Sequence, residues 1–247
     1  MTLHHRFDGP EDAPVVVFSN SLGTTLELWD PQVPAFTPAL RMLRYDQLGH
    51  GRSEVPPGPY TVEQLGRELV GLLDSLELGR VSFCGLSLGG AVGQWLGAHA
   101  PERIDRLVLA GTTAYFGPPE RWTERAAQVE AEGMGPVAEA TMARWFTPGF
   151  AGTAPYRETL ASTPAEGYIA CCNALAVWDF RSELIGISAP TLVVVGAEDP
   201  ATPPEQAEAI AEGIPGARLA VMPGAAHLVN VEQPEAFNRA VLDHLQR

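Results

Sequence analysis

Apolar and polar positions fall in alternating blocks along this chain. "APVVVFSNSLG" (13–23) is a short apolar run rich in β-branched residues that ends in small polar ones. That is the pattern of an interior parallel strand running into a loop. "ALRMLRYDQLGHG" (39–51) repeats it, as a strand followed by a glycine-rich turn. "TVEQLGRELVGLLDSLEL" (61–78) differs: Val62, Leu65, Leu69, Leu72 and Leu76 recur at steps of three and four. The spacing predicts a helix of about 18 residues, packed on one face and N-capped by Thr61. A strand follows at 80–85, a helix over 88–100 stopped near Pro101, and a strand at 104–112. Stacked βαβ units of this kind give an α/β fold, a mostly parallel sheet with helices on both faces.

The alternation lapses from about Ala114 to Ile187. This stretch is helix-like, has no strong strand candidate, and carries Trp122, Trp145 and Trp178. It reads as a helical insertion over one edge of the sheet. Strand and helix resume with 190–200, 204–214, 217–223 and 234–247. The expected organisation is a core from 1–113 and 188–247, with a helical cap at 114–187.

Charge narrows the partners. With 16 basic and 30 acidic residues the formal net charge is −14, which argues against nucleic acid or an anionic membrane surface. The three cysteines, Cys84, Cys171 and Cys172, suggest neither a disulfide framework nor a zinc site. No basic segment leads into a long apolar run, so the cytoplasm is the expected location. Nothing in the pattern speaks to the oligomeric state.

The candidate chemistry centres on Gly85-Leu86-Ser87-Leu88-Gly89, a G-x-S-x-G set between a predicted strand and a predicted helix. In that context it is a nucleophile elbow: the flanking glycines let strand and helix approach, and the serine projects from a sharp turn. The competing readings are a tight packing point and a phosphate cradle; no G-x-x-x-x-G-K-[ST] occurs to support the latter. A serine hydroxyl needs a base, held in turn by a third group. His227 follows the strand "ARLAVM" and Asp199 follows "TLVVVG", both on the rim where Ser87 must lie. Glu198 competes with Asp199 for the acid role; the proline-rich turn beside Asp199 favours the latter. His50, in "DQLGHG", belongs to the same rim and is assigned a structural role, with contact to the site as the alternative. The developing oxyanion needs two donors, expected to be the N–H groups of Leu88 and Leu22.

The set "NSLG", "DQLGHGRS", "GLSLGG", Asp199 and His227 resembles the α/β-hydrolase superfamily. Within it, "SLGTTLELWDPQ", "GQWLGAHAPERIDRLVL", "RWFTPGF", "GAEDPATPP" and "AAHLVNVEQP" resemble the 3-oxoadipate enol-lactone hydrolases. The resemblance implies a Ser87–His227–Asp199 triad, a cap at about 114–187 and no cofactor. It implies hydrolysis of a small lactone carrying a carboxylate, on the route that degrades protocatechuate and catechol. A general carboxylesterase or lactonase on small substrates is the alternative. A carboxylate-bearing substrate needs a positive group in so acidic a chain, and Arg144 is the candidate, beside Trp145 as a pocket wall. Trp122 and Trp178 are assigned to the core. Two features depart from the family: Leu48 stands where relatives usually show arginine, and the short N-terminus leaves room for one strand before the first central one.

Overall fold

The computed structural model describes residues 1–247. The chain forms seven strands: β1 (His5–Asp8), β2 (Val15–Ser19), β3 (Arg41–Tyr45), β4 (Val81–Leu86), β5 (Ile104–Ala110), β6 (Thr191–Gly196) and β7 (Arg218–Met222). They form one sheet in the order β1-β3-β2-β4-β5-β6-β7. Every pairing is parallel except β1 with β3. One strand, β1, precedes β2. Strands β2, β4, β5 and β6 are buried almost end to end, which is why they read as continuous apolar runs.

The helices are α1 (Val33–Phe36), α2 (Val62–Ser75), α3 (Leu88–His99), α4 (Pro119–Glu132), α5 (Met134–Trp145), α6 (Ala154–Ala161), α7 (Ala165–Ala176), α8 (Pro204–Gly213), α9 (Val229–Glu232) and α10 (Pro234–Leu245). Helix α2 packs on α3, which covers β4 and β5, and α8 covers β6 and β7; α10 packs with α1 against the sheet. Thr61 caps α2 by accepting from the Gln64 N–H at 3.0 Å. The helix ends earlier than the leucine spacing predicts, because Glu77 turns left-handed at φ 55°. Leu78 N–H then closes on the Leu73 carbonyl at 2.9 Å, a Schellman-type stop made without glycine.

Between β5 and β6 the chain makes four helices, α4 to α7, joined at their base by a bridge between Tyr115 and Asp179. The cap is tied to the core where α5 ends, beside the loop after β7. Leu228 N–H donates to the Trp145 carbonyl at 3.1 Å, and the Thr147 hydroxyl donates to Glu232 at 2.6 Å. Leu48 is buried under α7, where Cys171 Sγ lies 3.8 Å from its carbonyl. No helix is long and apolar enough to cross a membrane.

Two buried histidines give the fold a pH dependence. His50 is wholly buried, and burial pushes its pKa down to about 4. His244 on α10 is likewise lowered to about 4, by burial and then by the charge of Arg218. Its Nε2 donates to the Pro190 carbonyl at 3.1 Å. Below the unfolded value of 6.5 the unfolded chain takes up protons that the folded chain refuses until about pH 4. Stability therefore rises with pH across this window and is lost on acidification, on the order of 3 kcal/mol for His50 alone. Melting temperature should fall steadily between about pH 6.5 and 4, and His244→Gln should flatten the slope. A parent Tm that is level across that range would contradict this.

Candidate active site

Ser87 occupies the bend between β4 and α3 with φ 57° and ψ −113°, a conformation that L-residues adopt only under constraint. The constraint comes from both sides. Its N–H donates to the Ala110 carbonyl at 2.9 Å, and its carbonyl accepts from Thr112 Oγ1 at 2.8 Å. A Cβ at Gly85 would run into the Gly89 carbonyl, and one at Gly89 into the Ser19 carbonyl. The turn exists because both positions lack side chains. Leu88, the first residue of α3, has an N–H that its own helix cannot satisfy. Leu22, in the loop after β2, donates its N–H to no carbonyl of the chain. Both residues are buried, and Leu22 lines the same cavity as Ser87.

His227 lies in the loop after β7 and Asp199 in the loop after β6. His227 Nδ1 is 2.9 Å from Asp199 Oδ2. A carboxylate only accepts, so Nδ1 carries the proton and Nε2 is left as a free base. Asp199 is held by the turn that follows it: Oδ1 accepts from the N–H groups of Ala201 (2.7 Å) and Thr202 (3.0 Å), and Oδ2 from the Thr202 hydroxyl (2.7 Å). Burial pushes the Asp199 carboxyl up, but His227 and the donors from Thr202 outweigh it and hold the pKa below the ordinary carboxylate range. Glu198 points elsewhere, accepting from the Gly224 N–H at 3.3 Å. Ser87 and His227 face one cavity without a hydrogen bond between their side chains. Such bonds are often open in a free hydrolase and close around the substrate.

The cavity lies between the rim of the sheet and the cap. Its floor is Ser21, Leu22, Ser87, Thr202 and His227; its roof is built by the cap. Trp145 and Arg144 are in that roof. Trp178 is in the core away from it, stacked on Phe180 with ring centroids 4.7 Å apart. Trp122 is a correction. It is buried, its Nε1 donates to the Phe116 carbonyl at 3.2 Å, yet one side of it also faces the cavity.

Sequence reasoning missed Arg121 and Arg125, which join Arg144 in the roof. Arg125 donates to the Tyr168 hydroxyl and to Thr141 Oγ1, each at 2.6 Å, and Arg144 reaches Thr141 Oγ1 at 3.3 Å. None of the three is paired with a carboxylate, whereas Arg44, Arg103 and Arg181 elsewhere all are. Burial and the neighbouring guanidiniums push Arg144 down to about 10, and burial followed by Arg125 lowers Arg121. All three remain charged at neutral pH. Three mutually repelling cations thus lie together without a counter-charge, in a chain of net charge −14. A signal did exist: Arg121 and Arg125 are like charges at i and i+4, a pairing that destabilises a helix unless an anion relieves it.

Comparison with known proteins agrees with this architecture. Residues 14–234 match the family model for the alpha/beta hydrolase fold. The chain is 43% identical over 246 residues to 3-oxoadipate enol-lactonase 2 of Acinetobacter baylyi, covering 98% of this chain and 92% of that one. The crystal structure of the enol-lactonase from Burkholderia xenovorans LB400 superposes with a TM-score of 0.97 at 43% identity, covering 99% of this chain and 96% of that chain. A thermophilic esterase from Thermogutta terrifontis, solved with malate bound, superposes with a TM-score of 0.93 at 30% identity, covering 99% and 93%. The elbow, the sheet order and these matches together make the chain a member of the α/β-hydrolase family.

Proposed function

We propose that the protein hydrolyses 3-oxoadipate enol-lactone to 3-oxoadipate, a step in the breakdown of protocatechuate and catechol. The observation that carries this reading is the unpaired triplet Arg121, Arg125 and Arg144, facing Ser87 and His227 across one small cavity. A carboxylate at one end of the substrate fits the roof, and an acyl carbon at the other fits the floor.

In this reading Ser87 Oγ attacks the lactone carbonyl while His227 Nε2 takes its proton, with Asp199 holding the imidazole and stabilising its charge. The oxyanion rests on the N–H groups of Leu22 and Leu88. Collapse breaks the ring C–O bond as His227 returns its proton to the departing oxygen, leaving neutral imidazole and an acyl-enzyme whose leaving group, an enol, stays tethered. An enolate leaves more readily than an alkoxide, and its tautomerisation to the ketone removes the group that would re-close the ring. His227 then takes a proton from water, whose oxygen attacks the acyl carbon; the Ser87 Oγ–acyl bond breaks, His227 returns the proton to Ser87 Oγ, and the diacid is released. Trp122 and Trp145 keep the roof apolar around the guanidiniums, which strengthens every charge contact inside.

The test is twofold. Purified protein should consume the enol-lactone with a kcat/KM far above that for p-nitrophenyl acetate. Arg144→Gln, which keeps a donor for Thr141, should raise KM for the lactone about tenfold to a hundredfold, the value of one charge-assisted hydrogen bond. It should leave the neutral ester unaffected. The second reading, a general small-ester hydrolase, is supported by the likeness to the esterase from T. terrifontis. Equal losses on lactone and neutral ester, or a preference for the ester, would decide for it.

A further inference from the structure

The loop after β2 is more tightly held than its sequence, "NSLGTT", gives reason to expect. The Leu22 N–H belongs to the Ser21–Leu22 peptide. The Ser21 carbonyl at the other end of that peptide accepts from the Thr24 hydroxyl at 2.8 Å and from the Thr24 N–H at 3.2 Å. A trans peptide is planar, with C=O and N–H antiparallel. Holding the carbonyl towards Thr24 therefore fixes where the N–H points.

The next two peptides, Leu22–Gly23 through its N–H and Gly23–Thr24 through its carbonyl, are held as well. Gly23 N–H donates to His50 Nε2 at 2.9 Å, and the Gly23 carbonyl accepts from the cap residue Thr163 through its Oγ1 at 3.4 Å. Gly23 stands at φ 79°, where glycine left to itself is conformationally free. His50 is wholly buried and has no place in the cavity wall. Since Nε2 accepts, the proton sits on Nδ1, which faces the Leu48 carbonyl at 3.2 Å. Burial keeps this imidazole neutral down to about pH 4, so the acceptor is present throughout the working range. Thr24 is 2% exposed. Neither residue touches the space a substrate would fill, yet both grip the peptides on either side of Leu22.

We propose that His50 and Thr24 are positioning residues that lock the Ser21–Leu22 peptide with its N–H aimed at the oxyanion. The inference rests on the acyl-transfer reading given above. A donor fixed before reaction stabilises the oxyanion without reorganising, and a small misplacement forfeits much of that gain.

The experiment compares His50→Leu, which fills the space without an acceptor, with His50→Gln, whose Oε1 reaches the position of Nε2. Both the enol-lactone and p-nitrophenyl acetate serve as substrates, because the oxyanion site acts on any acyl group. His50→Leu should lower kcat about a hundredfold on either substrate with KM unchanged. It should weaken an alkylboronic acid, which forms a tetrahedral adduct at the serine, by a similar factor. Binding of adipate, a dicarboxylate that makes no such adduct, should not move. His50→Gln should recover most of kcat. Thr24→Val, close in shape, should reproduce the His50→Leu signature and supplies the test if the leucine variant does not fold. The proposal is overturned if leucine and glutamine variants lose alike, if KM moves in place of kcat, or if boronate affinity is untouched. A parent inert to the lactone but showing this pattern on the ester would retire the substrate assignment and leave the positioning role standing. A parent active on the lactone with kcat intact in both variants would do the reverse.

Discussion

Ser87→Ala should fold as the parent does and lose about 10⁶-fold in kcat, the scale seen when a serine nucleophile is removed from a triad. The fold is expected to survive because what holds the elbow is backbone and glycine. The Ser87 N–H and carbonyl bonds to Ala110 and Thr112 do not involve the hydroxyl, and the close approaches at Gly85 and Gly89 are unchanged by the substitution. Alanine also meets the same backbone demand at φ 57° as serine does. The expected signature is thus an unaltered melting curve with turnover reduced to a residue. That residue comes from the oxyanion donors and the arginine seat, which still bind and polarise the lactone. A variant with half the parent's rate would remove Ser87 from the mechanism.

Asp199→Asn should be the second largest loss, about 10⁴-fold in kcat, with stability little changed. The asparagine carbonyl can keep the N–H groups of Ala201 and Thr202, which Oδ1 now accepts at 2.7 and 3.0 Å. Its amide N–H, however, turns to His227 Nδ1 and donates where the carboxylate accepted. The imidazole proton is then driven to Nε2, and the base facing Ser87 is gone. Asp199→Ala should differ in a measurable way. It leaves the Ala201 and Thr202 donors without a partner in a buried turn, a penalty of about 1–3 kcal/mol for each such group, and should lower the melting temperature as well as the rate. Glu198→Gln is the control. Its side chain accepts from Gly224 and reaches neither His227 nor the cavity, so both rate and melting temperature should stay close to the parent's.

What could be read in the chain beforehand divides along physical lines. The sheet and its flanking helices were legible because their signals are local: β-branched runs for β2 and β6, leucines at helical spacing for α2, and proline at the end of α3. The elbow was legible for the same reason, since Gly85, Ser87 and Gly89 meet within five positions of the chain. Asp199 and His227 could be found because parallel strands deliver the loops that follow them to one edge. The end of α2 was not legible: Glu77 adopts a left-handed turn that the leucine pattern runs straight through. The roof was least legible of all. Which faces of α4 and α5 look inward depends on how the cap helices pack on each other and on the core. The pattern of Trp122, Arg121 and Arg125 along α4 does not separate a cavity wall from a solvated face. The need for a positive group was legible and led to Arg144, but the like-charged pair Arg121 and Arg125 at i and i+4 passed unread. The grip of His50 and Thr24 on the oxyanion loop joins residues from two separate loops, and only the folded chain places them together.

Rapid-quench mass spectrometry of the enzyme mixed with 3-oxoadipate enol-lactone tests the central claim most directly. Because ring opening leaves the leaving group tethered, the acyl-enzyme should weigh as much as the enzyme plus one whole lactone. Digestion should place that added mass on the peptide containing Ser87, in an amount that rises and decays within a single turnover. Full conversion of the lactone with no covalent species at any time, or with the adduct on a peptide lacking Ser87, would contradict the account.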